Sequence, residues 1–189
     1  MFVLILGLVV FLGIHSVRIA APAFRERQVA AGGIGRWKGV YTLVSVIGLV
    51  LIVWGYGMAR QTAPVLYEPP VFMKHLNLLL MLVSFVFLAA SQLPAGRIKA
   101  ALKHPMLVAV KVWALGHLLA NGDLAALILF GSFLAWAVAD RIAVKRRGDA
   151  GPAPGPAKWD AVAVLVGGGL HLLFVWRLHE WLIGVPALP

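Results

Sequence analysis

Five or six apolar runs, each near the length of a bilayer crossing, restrict the fold of this chain more than any other feature. A transmembrane helix needs about 20 mostly apolar residues to cross a hydrocarbon core of about 30 Å. The 189 residues are 61% hydrophobic and 13% charged, and this charged share is about half that of soluble proteins. The runs therefore predict an all-α polytopic membrane protein with six transmembrane helices, formed by a single domain over residues 1–189.

Prolines and glycines mark the ends of the predicted helices. The glycines at 31–35 predict a turn before the second helix, and Pro105 suits the first turn of the fourth. Residues 145–158 are rich in proline, glycine and charge, which predicts a flexible cytoplasmic linker between helices 5 and 6. The first run has neither a preceding basic residue nor a small-residue cleavage signature, so we interpret it as a retained helix. The predicted helices cover about residues 2–21, 39–59, 72–92, 105–121, 124–143 and 159–184.

The distribution of positive charge predicts the orientation. Thirteen of the 17 Lys and Arg residues lie in the segments after helices 1, 3 and 5, and two lie on the opposite side. Because cytoplasmic loops carry the excess of Lys and Arg, both termini are predicted to lie outside. The net charge of +10 is therefore explained by the cations of the cytoplasmic loops, and we expect no nucleic-acid partner. The thirteen cations are Arg18, Arg25, Arg27, Arg36, Lys38, Arg97, Lys99, Lys103, Arg141, Lys145, Arg146, Arg147 and Lys158, and the opposite two are Arg60 and Lys74.

The chain contains no cysteine. This absence excludes a disulfide framework, a cysteine-ligated iron–sulfur cluster and a cysteine nucleophile. A metal bound here must therefore use histidine and oxygen ligands.

Three of the six histidines, His15, His117 and His171, lie well inside predicted helices. An ionisable residue at the bilayer centre costs about 3 kcal/mol on insertion scales, so each one calls for a function or a partner. At a helical rise of about 1.5 Å per residue, His117 and His171 lie roughly 18 Å from the cytoplasmic edge and His15 roughly 9 Å from it. These depths allow the three imidazoles to approach one ligand.

Two neutral histidines from different helices are the usual ligands of a haem b iron in a membrane bundle. Gly13, Gly116 and Gly167 lie close to the three histidines in sequence, and small residues let a flat ring approach the backbone. A zinc site needs a third or fourth protein ligand, which His171 could supply. The plain alternative is a histidine that hydrogen-bonds within the helix bundle. From the residues alone, a cofactor and a structural role both remain open.

Arg18, Lys111 and Trp113 extend the candidate haem site. Arg18 follows His15 by about one turn and Trp113 precedes His117 by one turn on the same face. Both cations lie in the cytoplasmic half of their helices, so we predict that the haem propionates point that way and pair with them. The alternative for both cations is that they extend to the lipid headgroups.

Several phrases of the chain resemble the NnrU family. NnrU proteins are bacterial inner-membrane proteins that are associated with denitrification and linked to active nitrite and nitric oxide reductases. They are related to plant 15-cis-ζ-carotene isomerase, which is a haem b protein. The resemblance covers nearly the whole chain and implies a multi-pass protein of the bacterial inner (cytoplasmic) membrane. The phrases are Gly13-Ile14-His15-Ser16, Lys103-His104-Pro105 and the run from Trp113 to Asp123, with further matches at 39–57 and 139–141.

The kinship implies a haem b held by His15 and His117, with His171 as the reserve metal ligand. The implied partners are membrane lipid and a lipid-soluble substrate, and no catalytic residue is predicted. The plant enzyme has a cysteine where this chain has Ala114, so exchange of a thiolate onto the iron is impossible here. The expected function is redox-dependent chemistry on a lipid-soluble substrate, for example an isomerase-like reaction, or a role linked to nitrite and nitric oxide reduction.

Two other functions stay open. One is a non-catalytic assembly or maturation factor for denitrification reductases, with no chemistry of its own. The other is a small membrane methyltransferase, because Lys103-His104-Pro105 resembles the Arg-His-Pro phrase of isoprenylcysteine carboxyl methyltransferases. Those enzymes need Glu and Arg residues after this phrase to bind their nucleotide cosubstrate, whereas the helices that follow it here are almost purely apolar.

Overall fold

The structure is a computed structural model, and it describes residues 1–188. Within this range the chain is helical, and its one extended pairing is an isolated bridge between Val65 and Asp123. The predicted all-α class is therefore confirmed. The helices are α1 (Phe2–Ala20), α2 (Pro22–Ala59), α3 (Val71–Gln92), α4 (Arg97–Leu102), α5 (Pro105–Ala120), α6 (Leu124–Arg146), α7 (Lys158–Leu173) and α8 (His179–Ile183), with a π-helical turn at Phe174–Leu178 joining the last two.

Five continuous helical stretches in the described range are long and apolar enough to cross a membrane. They are α1, α2, α3, α6 and the stretch from α7 to α8. The sixth predicted crossing, α5, is apolar but has 16 residues. Long apolar helices support a polytopic membrane protein, while six crossings and outward termini stay predictions.

The turn predicted at residues 31–35, before the second helix, is shorter in the structure. Helix α2 begins at Pro22, and only Gly33 leaves the helical region, with φ 76° and ψ 161°. Glycine adopts this conformation without the steric penalty of a side chain, so the turn shrinks to a kink inside one long element. The segment 34–59 after the kink extends over roughly 39 Å at about 1.5 Å per residue, so it is by itself long enough to cross a hydrocarbon core of about 30 Å.

Helix α4 was not predicted, because a residue distant in sequence caps it. The carboxylate of Asp160, in the first turn of α7, accepts hydrogen bonds from the backbone N–H groups of Arg97 and Ile98, both at 2.9 Å. These groups are among the donors that a helix N-terminus leaves without intrahelical partners. Helix α6 continues through Arg146, two residues into the predicted linker at 145–158.

The main helices pack in the order α2, α1, α6, α5, α3 and α7. Glycines bring α1 against α2, since a Cβ added to Gly48 would lie 2.7 Å from the backbone nitrogen of Phe11. Close backbone approach at small residues is typical of helix pairs in membranes. Leu4, Leu8 and Phe130 belong to the larger buried cluster, which joins α1, α2, α5 and α6. In this arrangement α6 packs against both the helix of His15 and the helix of His117.

The end of α5 is held by the segment that precedes α3. The backbone N–H of Leu66 donates to the carbonyl of Gly122 at 2.8 Å, and the hydroxyl of Tyr67 contacts the carbonyl oxygens of Leu118 and Asn121. Asp123 accepts from the N–H of Ala126 at 2.9 Å and so caps α6. These bonds fix the turn just beyond His117.

Candidate cofactor-binding site

His15 is half-buried on α1 among aromatic side chains. Its Nδ1–H donates to the carbonyl of Phe11 at 2.6 Å, and the two rings are stacked with centroids 4.2 Å apart. Tyr41 lies 5.0 Å from the imidazole, and the indole of Trp136 meets it edge-on at 5.9 Å. Nδ1 is thereby occupied, and Nε2 makes no hydrogen bond within residues 1–188.

His117 is held on α5 in the same way. Its Nδ1–H donates to the carbonyl of Trp113 at 3.0 Å, one turn earlier in the helix. Phe130 of α6 stacks on the imidazole at 4.5 Å, and the Trp113 ring lies 5.5 Å away. The predicted proximity of Trp113 to His117 is thus present in the structure.

The shared hydrogen bond has a chemical consequence for both histidines. A carbonyl oxygen can only accept, so the proton resides on Nδ1 and the lone pair on Nε2. A metal-binding histidine usually donates its other ring N–H to a carbonyl or carboxylate, which fixes the tautomer and the orientation of the ring. The donor chemistry of His15 and His117 therefore fits two neutral imidazole ligands of a haem iron.

Two buried polar atoms without partners lie near these histidines. The indole N–H of Trp136, beside His15, has no acceptor within the described residues. The side-chain oxygen of Asn77 likewise has no donor there, and it lies against Gly116, next to His117. Unsatisfied buried polar groups are costly, and each invites a ligand or water that would satisfy it. Both atoms are consistent with a polar molecule bound between these helices.

The rings of His15 and His117 are connected through other aromatic side chains. A chain of aromatic contacts runs from His15 through Phe11, Phe133 and Trp113 to His117, with centroid distances of 4.2, 5.7, 5.3 and 5.5 Å. A macrocycle bound by both imidazoles would require these side chains to turn aside. Ligation of one haem by both imidazoles thus calls for rearrangement of the aromatic rings, and the haem stays a prediction.

The two predicted propionate partners are not joined to the histidines by hydrogen bonds. Arg18 is exposed, and its backbone carbonyl accepts from the side chain of Arg147 at 3.4 Å. Lys111 is half-buried on α5, and neither its side chain nor that of Arg18 forms a hydrogen bond or ion pair within residues 1–188. Their role toward propionates stays a prediction.

His171, the reserve ligand, lies on α7 against α3. Its ring is 6.1 Å from Phe85, and its Nδ1 is buried without a partner among the described residues. No group of three His, Asp or Glu side chains in the described range is arranged to hold a metal ion. This finding disfavours a zinc site built from three of the histidines.

Sequence reasoning missed the histidine nearest to His117. His179 begins α8, and its ring centroid lies 6.5 Å from that of His117 with the ring planes 21° apart. Its Nδ1–H donates to the carbonyl of Val185 at 2.7 Å. His179 lies near the outer end of the last predicted helix, where water can satisfy an imidazole, and no local pattern in the sequence places it beside α5.

Comparison with known proteins identifies one family. A family model described as "NnrU protein" matches residues 3–187. No curated protein matches the chain. No solved structure matches it.

Proposed function

The chain belongs to the NnrU family, and we propose that it is a membrane haem b protein whose iron is held by His15 and His117. Its action is redox-dependent chemistry on a lipid-soluble substrate, of isomerase type, or a step linked to nitrite and nitric oxide reduction. The bacterial inner membrane is the proposed location.

The observation that carries this proposal is the common anchoring of the two imidazoles. Each donates Nδ1–H to the carbonyl four residues earlier, at 2.6 Å for His15 and 3.0 Å for His117. Each ring is left with the lone pair of Nε2, the atom by which a neutral imidazole binds iron. Two such rings on helices that both pack against α6 would give the neutral donor set of a b-type haem.

The surroundings would exclude water from such a cofactor. A b-type haem supplies a one-electron redox centre whose potential depends on axial ligands, burial and nearby hydrogen bonds. Phe11, Phe130 and Phe133 surround the two imidazoles with apolar side chains, and Phe11 and Phe133 would have to turn aside to admit the bound haem. The rings of Tyr41 and Trp136 also lie beside His15. These residues would stabilise the bound ring system, and the two Nδ1–H bonds would hold the ligands in orientation.

The test is a spectrum of the full-length protein purified in detergent from cells supplied with a haem precursor. We expect a Soret band that sharpens and shifts on dithionite reduction, with haem close to one per chain. His117→Ala should lose most of the haem. His75→Ala is the matched control, because His75 is exposed on α3, and it should retain the spectrum.

A contrary result would favour the assembly-factor alternative. Haem far below one per chain in the wild type, with reductase activity in the host unaffected by His15→Ala and His117→Ala, would contradict the cofactor proposal. Wild-type haem content in His117→Ala would remove that residue from the ligand set.

A further inference from the structure

We infer that residues 22–38, which we call the connecting segment, lie on the predicted cytoplasmic surface of the membrane and bind anionic phospholipid headgroups. The segment joins α1 to the membrane-crossing part of α2. It is separate from the proposed haem site, and no haem is needed for it to bind lipid.

The connecting segment lies at one end of an antiparallel helix pair. Gly55 of α2 packs against Leu4 of α1, whereas Gly48 packs against Phe11. Contacts that move back along α2 as they advance along α1 indicate helices that run in opposite directions. Because residues 34–59 are by themselves long enough to cross a hydrocarbon core, the part of α2 before the kink is not needed for the crossing.

A sharp bend at Gly33 turns the first part of the segment away from the crossing helix. The rings of Phe24 and Trp37 meet edge-on with centroids 6.4 Å apart, although 13 residues separate them along the chain. In a straight helix 13 residues extend over roughly 20 Å, a distance that two aromatic side chains cannot bridge. The bend is produced by the φ of 76° and ψ of 161° at Gly33. Residues 22–32 therefore do not continue the axis of the crossing helix.

The positive charge of the segment is not neutralised by protein groups. Four cations and one acid, Glu26, give it a net charge of +3. Within residues 1–188 none of the four forms a side-chain hydrogen bond or ion pair, since such bonds of arginine and lysine belong to Arg60, Lys99 and Arg147. Arg25 is half-buried and the other three cations are exposed. The four are Arg25, Arg27, Arg36 and Lys38.

Exposed apolar side chains accompany these cations. Phe24 is 44% exposed and Ile34 is 47% exposed, and Trp37 is half-buried between them and the crossing helix. Aromatic rings of amphipathic residues are enriched where helices leave the membrane core. Basic residues with aromatic and aliphatic neighbours match the bilayer surface, where acyl chains meet phosphate groups. An acidic protein would match the cations alone, whereas an anionic lipid surface matches the cations and the apolar side chains together.

The test measures the binding of single lipid molecules to the full-length protein in detergent by native mass spectrometry. Phosphatidylglycerol is compared with phosphatidylcholine of the same acyl chains, and the wild type should bind phosphatidylglycerol more tightly. One cation near an anionic surface contributes about a factor of five in affinity. We expect Arg27→Gln/Arg36→Gln to weaken phosphatidylglycerol binding at least about fivefold and to leave phosphatidylcholine binding unchanged.

Arg97→Gln/Lys103→Gln is the matched control, because it removes the same charge from the same predicted side of the membrane. Both side chains are exposed, and neither forms a hydrogen bond or ion pair within the described residues. They belong to α4 and its end, and α4 packs against α3, α5 and α7. The control should bind phosphatidylglycerol as the wild type does. Equal losses in the two double variants, or no loss in Arg27→Gln/Arg36→Gln, would overturn the inference.

A second measurement locates the segment in depth without changing its charge. Ala31 is exposed and lies seven residues, about two helical turns, after Phe24 on the same face. A spin label at Ala31→Cys, in nanodiscs of phosphatidylcholine and phosphatidylglycerol, should be more accessible to oxygen than to a water-soluble nickel complex. A label at Ala150→Cys, which is exposed in the polar linker, should show the opposite preference. The same aqueous accessibility at both positions would overturn the inference, and neither readout depends on bound haem.

Discussion

The contact between α1 and α2 gives a sharp test of the structure, because it depends on one missing methyl group. A Cβ added to Gly48 would lie 2.7 Å from the backbone nitrogen and 2.9 Å from the Cα of Phe11. Carbon atoms pack at about 3.5–4.0 Å, so the two helices would have to separate by roughly 0.6 Å or more. Phe11 provides the carbonyl that orients His15, and the separation would disturb the candidate site as well as the interface.

Gly57 on the same helix is the matched control. Its added Cβ would have no heavy atom within 4 Å, so Gly57→Ala changes the helix without a steric clash. Both substitutions gain about 1 kcal/mol of helix propensity, and this gain cancels in the comparison. Overpacking typically costs about 1–3 kcal/mol. We therefore expect Gly48→Ala to have a free energy of unfolding about 1–3 kcal/mol below that of Gly57→Ala.

The measurement is reversible unfolding of each purified variant by SDS in mixed micelles, followed by tryptophan fluorescence and far-UV circular dichroism. The transition of Gly48→Ala should move to a lower SDS mole fraction than that of Gly57→Ala. Equal unfolding free energies for the two variants would refute the close backbone contact between α1 and α2.

Three further perturbations follow from individual contacts. Ser84→Ala removes a buried hydroxyl that donates to the carbonyl of Ala109 at 2.9 Å. The SDS titration should show a free energy of unfolding lower by about 0.6–1.7 kcal/mol. An unchanged value would argue against this link between α3 and α5. Asp160→Ala leaves the backbone N–H groups of Arg97 and Ile98 without their acceptor, so hydrogen exchange at these two groups should accelerate. Unchanged exchange rates would contradict the cap. The native chain has no cysteine, so introduced cysteines can be labelled selectively. An impermeant maleimide should label Glu68→Cys from outside intact cells and Ala150→Cys only after permeabilisation. The reverse labelling pattern would invert the predicted topology.

Local signals were sufficient for most helix ends. Pro105 begins α5 and Asp123 caps α6 in the structure, and both residues act through their own backbone neighbourhood. Helix α4 was missed because its cap, Asp160, is 63 residues from Arg97. Gly33 was interpreted as part of a turn, since composition indicates where the backbone can bend but not that helices continue on both sides.

Pairing of helices depends on partners that a single sequence does not reveal. The glycine at position 48 meets Phe11, whereas nothing contacts the added Cβ of Gly57, although both residues occupy similar apolar surroundings in the sequence. Periodicity identifies a helical face but does not say which other helix covers it. The same restriction applied to the histidines, whose depth could be estimated while their neighbours could not.

The contact between His117 and His179 shows why depth alone is insufficient. His15 and His117 lie within regular α-helices, so counting residues places them along the membrane normal. His179 follows a π-helical turn, and there the count gives neither the direction of the side chain nor its distance from α5. A π-helical turn adds a residue to the helix, so it changes the direction of every later side chain relative to a regular α-helix. The ring of His179 consequently lies 6.5 Å from that of His117, a contact that counting residues along regular helices does not predict.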